Sequence, residues 1–177
     1  MSEKKVVDKS PQPFSQADLT ADLCRLGVQP GMALLVHSSL SKIGYVPGAQ
    51  VAVIRALQEV LTPAGTLMMP THSSDLSDPA AWQNPPIPAA WHQIVRDVTP
   101  AFDPDITPTR MMGVIAESFR TWPGVRRSNH PQSSFAAWGK AAEWVTADHS
   151  LESSLSEESP LARLYELDGF VLLLGVG

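Results

Sequence analysis

Apolar residues recur along the chain in short runs with two different periods. Leu19, Leu23 and Leu26 fall three and four positions apart behind Ser15, a helix-capping residue type, and Gly27 ends the pattern, so a helix is expected there. Ala33–Val36 is a continuous apolar run after the Pro30-Gly31 turn and reads as a short strand. Val53, Ile54, Leu57, Val60 and Leu61 return to helical spacing and stop at a turn over 63–65; Thr66–Pro70 is a second short strand. Strand, helix and strand at these lengths form a βαβ unit, which implies a parallel pair with a right-handed crossover.

Residues 71–108 break this rhythm. The chain holds 16 prolines, nearly double the typical share of roughly 5%, and the stretch from Pro70 to Pro108 is crowded with them. Proline ends regular elements, so an elaborated loop region carrying Trp82 and Trp91 is expected. Met112, Ile115, Ala116 and Phe119 then predict a helix over 110–121. Ser134–Trp138 reads as a strand, the following GKAAEWV as a short helix, and Pro160 starts a helix that presents Leu161, Leu164 and Leu167. Phe170–Leu174 is apolar throughout, the pattern of a central strand covered on both faces. The fold class is therefore α/β, helices layered around a largely parallel central sheet. Residues 1–13 read as a polar tail, and 14–177 as a single domain without repeats or linkers.

Composition narrows the function. A chain of 177 residues, 44% hydrophobic and 18% charged, suits one globular domain and is too apolar for disorder. Its formal net charge of −5 argues against a nucleic-acid-binding surface. No apolar run approaches the roughly 18 residues of a membrane span, and the opening residues lack a signal-peptide core. The single cysteine, Cys24, excludes an intrachain disulfide and a cysteine-built zinc site. A cytoplasmic protein without nucleic-acid or membrane partners is expected, its oligomeric state left open.

Three segments carry candidate chemistry. HSSLSKIG, from His37 to Gly44, follows the first strand with hydroxyls and backbone amides that can cradle a phosphate, a carbonyl or an oxyanion; the alternative is a serine-rich turn bonded to its own backbone. THSSDLSD, from Thr71 to Asp78, offers His72, Asp75 and Asp78. The options there are a metal, a cationic ligand held by Asp75 or Asp78, or a solvated loop, and the spacing matches no tight metal motif. RRSNHPQSSFAAWG places Arg126 and Arg127, suited to phosphate or carboxylate, beside His130, which is either a base or a structural histidine. His92 and His149 are assigned no role at this stage. On the first two segments alone, a serine or metal-dependent hydrolase is a further reading.

Taken together, VHSSLSKIG, GTLMMPTHSSDLSDPAAWQNPP, FDPDITPTRMMGVIAESFRTWPGVRRSNHPQSSFAAWG and ESPLARLYELDGFVLLLGVG resemble the aminoglycoside 3-N-acetyltransferase family, in order and spacing, from about Phe14 to Gly177. The resemblance implies an α/β fold distinct from the GNAT acetyltransferases. It also implies transfer of an acetyl group from acetyl-CoA to the 3-amino group of the deoxystreptamine ring of an aminoglycoside antibiotic, which confers resistance. Acetyl-CoA is then the cosubstrate, and no metal is expected. His37, Ser38, Ser39, Leu40, Ser41, Arg110, Met111 and Gly113 are the candidates for holding CoA, with Arg110 at the head of the 110–121 helix facing phosphate and Arg126 and Arg127 as secondary choices. Asp75 and Glu117 are the candidates for the polycationic antibiotic.

Members of this family continue past the LLLGVG strand into a T-x-x-H-x-x-E segment that holds the expected catalytic base and its partner. No such segment follows the LLLGVG strand within these 177 residues. The expectation is that residues 14–177 form the N-terminal portion of a single acetyltransferase domain, truncated at 177, with His37 and His130 as the resident alternatives for the base. The competing expectation is a non-catalytic domain that retains at most CoA or aminoglycoside binding.

Overall fold

The computed structural model describes residues 3–176. Helices α1 (Glu3–Lys9) and α2 (Gln16–Leu26) precede β1 (Ala33–Ser38), which turns through the single-turn helix α3 (Leu40–Ile43) into α4 (Ala49–Leu61) and β2 (Thr66–Pro70). The expected βαβ unit forms: β1 and β2 are parallel, with Ala33 opposite Thr66. Then come α5 (His92–Val98), α6 (Gly113–Arg120), the two-residue β3 (Arg126–Arg127), β4 (Phe135–Gly139), α7 (Ala142–Thr146), α8 (Pro160–Glu166) and β5 (Phe170–Leu174). The sheet runs β3-β4-β2-β1-β5. Its β2-β1-β5 portion is parallel, and β4 and β3 are antiparallel additions.

Strand residues alternate between two cores because their side chains alternate between the faces of the sheet. Leu34 and Val36 of β1, with Leu67 and Met69 of β2, meet α2, α4 and α6 on one face through Leu23, Leu57 and Phe119. Ala33 and Leu35, with Met68 and Phe135, meet Val145 of α7 and Leu164 of α8 on the other. The result is three layers, helix, sheet and helix, with the carboxyl ends of the parallel strands as the natural place for a site.

Four elements differ from the sequence expectation. The segment read as a polar tail contains α1, which is held by the Ser10 hydroxyl accepting the Tyr45 amide at 2.8 Å and by the Phe14 amide donating to the Tyr45 carbonyl at 2.9 Å. The proline-rich segment is not all loop: α5 and three 3₁₀ turns interrupt it, each beginning at or beside a residue that tolerates a helix start. Helix α6 begins at Gly113, three residues later than expected. Met111 has a positive φ, which a residue inside an α-helix does not adopt, and Gly113, also at positive φ, is the residue at which the helix opens. Finally, β5 lies at an edge of the sheet, leaving Phe170, Val171 and Leu173 more than half exposed. The strand covered on both faces is β2, all five of whose residues are buried. An apolar run reports what a strand would bury, and the sheet order decides whether it does.

Candidate active site

The turn after β1 forms one wall of a cleft of about 530 Å³. The Ser39 amide donates to the Leu174 carbonyl at 2.9 Å, and the Ser39 carbonyl accepts from Lys42 at 2.9 Å, so the turn is built on the end of β5 and closed by α3. Ser39 stands at the N-cap of α3, yet its hydroxyl makes no capping bond. The opposite wall is the chain entering α6, whose N-cap residue Met112 likewise supplies no side-chain cap. A helix start without a side-chain cap leaves amide donors for an outside acceptor, and the helix dipole favours an anion there.

Ser38, Ser39, Leu40 and Ser41 line this cleft together with Met111 and Gly113. Six of the eight residues named for CoA are therefore neighbours. His37 lines an adjoining hollow of about 390 Å³ with Ser38, Met111 and Met112. Arg110 is not at the head of α6. Its amide donates to the His72 carbonyl at 2.7 Å, and it lines a different hollow of about 390 Å³ with Asp75, Trp82 and Met111. Tyr45, Val46, Met112 and Ile115 also line this cleft. Tyr45 and Val46 were missed because nothing in a Tyr-Val-Pro turn signals a ligand.

The two carboxylates expected to face the antibiotic have different surroundings. Asp75 is exposed at the rim of two hollows, one shared with Arg110 and one of about 330 Å³ shared with Arg96 and Phe102; Trp82 lines both. Glu117 is engaged within the fold: it accepts from Arg120 Nη2 at 2.6 Å and from the Thr109 amide at 2.7 Å. Burial pushes its pKa up, but Arg120 and Thr109 outweigh that and hold it below the ordinary value. With Arg120, its carboxylate fastens residues 105–109 to α6. Asp78 caps the 3₁₀ turn at Ala80 and pairs with Arg96 at 2.8 Å.

The histidines form a cluster; the signal that could have singled out His149 is the T-x-x-H-x-x-E spacing of Thr146, His149 and Glu152. The His130 and His149 rings stand 4.7 Å apart, and Phe135 touches His72 edge-on at 5.3 Å. His149 Nε2 is 2.6 Å from the Ser154 carbonyl and must be its donor, which leaves Nδ1 to accept from the Ser128 hydroxyl at 2.9 Å. His130 Nδ1 accepts the amides of Ser133 at 2.9 Å and Gln132 at 3.1 Å, which engages the lone pair that a base would need. The pKa of His130 lies below the ordinary value through burial. His149 is lowered by burial, partly offset by its bond to Ser154, and His72 by burial and then by the neighbouring His37, His130 and His149. The Nε2 atoms of His72 and His130 are buried without a partner.

Arg127, a secondary candidate for phosphate, has every N–H donor engaged internally, with Thr71, Ser73, Pro104, Thr107 and Ser134. Burial, and secondarily Arg120, lowers its pKa to about 10. Among the described residues, no group of three His, Cys, Asp or Glu side chains is arranged to hold a metal ion, so His72, Asp75 and Asp78 do not converge as one. No described helix is long and apolar enough to cross a membrane.

The model of the aminoglycoside 3-N-acetyltransferase family matches residues 35–177, a stretch that includes the HSSLS turn, the Asp75 loop and α6. The chain belongs to this acetyltransferase family. The SPbeta prophage-derived aminoglycoside N(3')-acetyltransferase-like protein YokD of Bacillus subtilis is 50% identical over 173 residues, which cover 97% of this chain and 64% of that protein. The crystal structure of YokD superposes with a TM-score of 0.96 at 49% identity, over 98% of this chain and 64% of YokD. The structure of AAC-VIa bound to sisomicin matches with a TM-score of 0.81 at 34% identity, over 94% of this chain and 61% of that one. AAC-IIIb in its binary complex with CoASH matches with a TM-score of 0.78 at 36% identity, over 92% of this chain and 59% of that one. The chain thus spans less than two thirds of the length of these acetyltransferases. Its α/β sheet is that of the family.

Proposed function

We propose that this chain binds acetyl-CoA in the cleft between the HSSLS turn and the start of α6. We propose further that it serves transfer of the acetyl group to the 3-amino group of an aminoglycoside's deoxystreptamine ring. The observation that carries this reading is the convergence of Ser38, Ser39, Leu40, Ser41, Met111 and Gly113 on one cleft. The CoASH complex of AAC-IIIb and the sisomicin complex of AAC-VIa support it by likeness.

The cleft fits CoA chemically. Its apolar lining, Leu40, Val46, Met112 and Ile115, suits a pantetheine arm, and the uncapped start of α6 offers amides to a phosphate. When bound, acetyl-CoA supplies a thioester whose carbonyl carbon is attacked by an amine. The hydroxyls of Ser38, Ser39 and Ser41 are donors toward the oxygen that gains charge in that attack; the Ser39 amide already serves Leu174. Asp75 pairs with the antibiotic's ammonium groups, and Arg110 beside it holds a CoA phosphate or limits the hollow.

The reacting amine must lose its proton to a base with a pKa near the working pH. The family resemblance assigns that base to the histidine of a T-x-x-H-x-x-E segment, and the stretch from Thr146 to Glu152 has that spacing, with His149 as its histidine. Within the described residues, His37 is the histidine that lines a hollow at the cleft. The second reading, in which these 177 residues bind without transferring, is favoured by the lone pair of His130, which two backbone amides engage.

One experiment separates the readings. The chain is mixed with acetyl-CoA and sisomicin, the products are weighed by mass spectrometry, and CoA is titrated calorimetrically against wild type, Ser38→Ala and Ser39→Ala. Gain of one acetyl group by sisomicin means catalysis, and CoA binding without that gain means the binding reading. Loss of a serine donor should weaken CoA by about 1–3 kcal/mol. Wild-type affinity in both variants removes the turn from the site.

A further inference from the structure

Arg127 joins two segments that otherwise meet through one backbone bond, from the Arg110 amide to the His72 carbonyl at 2.7 Å. On one side, Nη2 donates to the Thr71 carbonyl at 2.6 Å and to the Ser73 hydroxyl at 2.8 Å, at the exit of β2. On the other, Nη1 donates to the Thr107 carbonyl at 2.5 Å and the Pro104 carbonyl at 3.3 Å, and the guanidinium lies 4.9 Å from the Phe102 ring centroid. Nε fixes the fork to the Ser134 hydroxyl at 3.0 Å, on the strand beneath. Both tied segments run directly into the walls of one hollow: Asp75 follows Ser73 by two residues, Arg110 follows Thr107 by three, and the two line it together.

The Arg110–His72 bond lies beyond the loop and leaves residues 102–107 unheld, and the remaining anchor of the 102–109 loop does not reach the exit of β2. Arg120 and Glu117 bind the Asp105 carbonyl and the Thr109 amide, which fastens the loop to α6 and leaves Thr71 and Ser73 untouched. We propose that Arg127 is the positioning residue of the antibiotic-facing wall, setting the placement of Asp75 relative to Arg110 without touching the substrate. The proposal rests on the reading of that hollow as the aminoglycoside side of the site. Only a planar fork reaches both segments at once, so a lysine, with a single point charge, does not substitute for it.

The test compares wild type, Arg127→Gln, Arg127→Lys and Ser73→Ala by hydrogen exchange and by separate titrations of sisomicin and CoA. Exchange in residues 102–110 should accelerate about tenfold in both Arg127 variants while β1 and β2 stay within about twofold. Sisomicin affinity should fall about tenfold and CoA affinity should hold within about twofold. Ser73→Ala, which keeps the guanidinium and removes one of its bonds, should move the same peptides and the same affinity by a smaller factor, and it decides the matter if the Arg127 variants fail to fold. Unchanged exchange in 102–110, equal acceleration of the sheet, or full rescue by lysine would overturn the tie. A wild-type chain that binds CoA but not sisomicin overturns the reading of the hollow and the antibiotic part of the proposal. The exchange arm by itself decides whether Arg127 joins the two segments.

Discussion

Ser39 donates its amide to the carbonyl of Leu174, so the serine turn of the CoA cleft rests on the last residue of β5. The turn therefore depends on a strand 135 positions later in the sequence.

This dependence makes Gly175 the sensitive position. It has φ +71°, and a Cβ there would lie 2.9 Å from the Ser39 carbonyl and 3.1 Å from the Ile43 amide. Gly175→Ala is expected to destabilise the chain by about 1–3 kcal/mol through backbone strain. It should also weaken CoA binding, because the turn must shift to admit the methyl group. Urea unfolding together with CoA calorimetry checks this. A variant with wild-type stability and affinity would show that the turn is not braced by β5.

The histidine cluster sets a pH dependence of stability. His72, His130 and His149 all have folded pKa values below the ordinary value of about 6.5, so on acidification the unfolded chain takes up these protons first. Stability is full above about pH 6.5 and is lost as pH falls from there through the lower folded values. His130→Asn keeps an acceptor for the Gln132 and Ser133 amides and removes the titration. It should flatten the slope by up to one proton, about 1.4 kcal/mol per pH unit at most. Denaturant unfolding across a pH series above 5 reads the slope; an unchanged slope would exclude His130 from the effect.

The exposed edge of β5 predicts self-association. Phe170, Val171 and Leu173 are 56%, 59% and 58% exposed on a strand that, among the described residues, pairs on one side only and contains neither charge nor proline. Such edges pair with other chains unless blunted. Sedimentation velocity should show concentration-dependent association, and Val171→Lys should suppress it while CoA binding is retained. A wild-type chain that stays monomeric throughout would refute the prediction.

The periodicity of apolar residues was enough to determine α2, α4, β1, β2 and α8, because each buries one stripe or face whose spacing is local. The motif wording was enough to name the family and to pick six cleft residues, since Ser38–Ser41 sit immediately after a strand and Met111 and Gly113 immediately before or at a helix start. Tertiary structure alone decided the rest. Arg127 and Glu117 have charged side chains that sequence reading offers to ligands; the fold instead satisfies them with carbonyls, an amide and an arginine from distant loops. His149 acquired its neighbours only when β4 brought Phe135 and Ser128 beside it. The apolar run of β5 is the same whether the strand is central or at an edge, because burial depends on which strands pair beside it and not on its own residues.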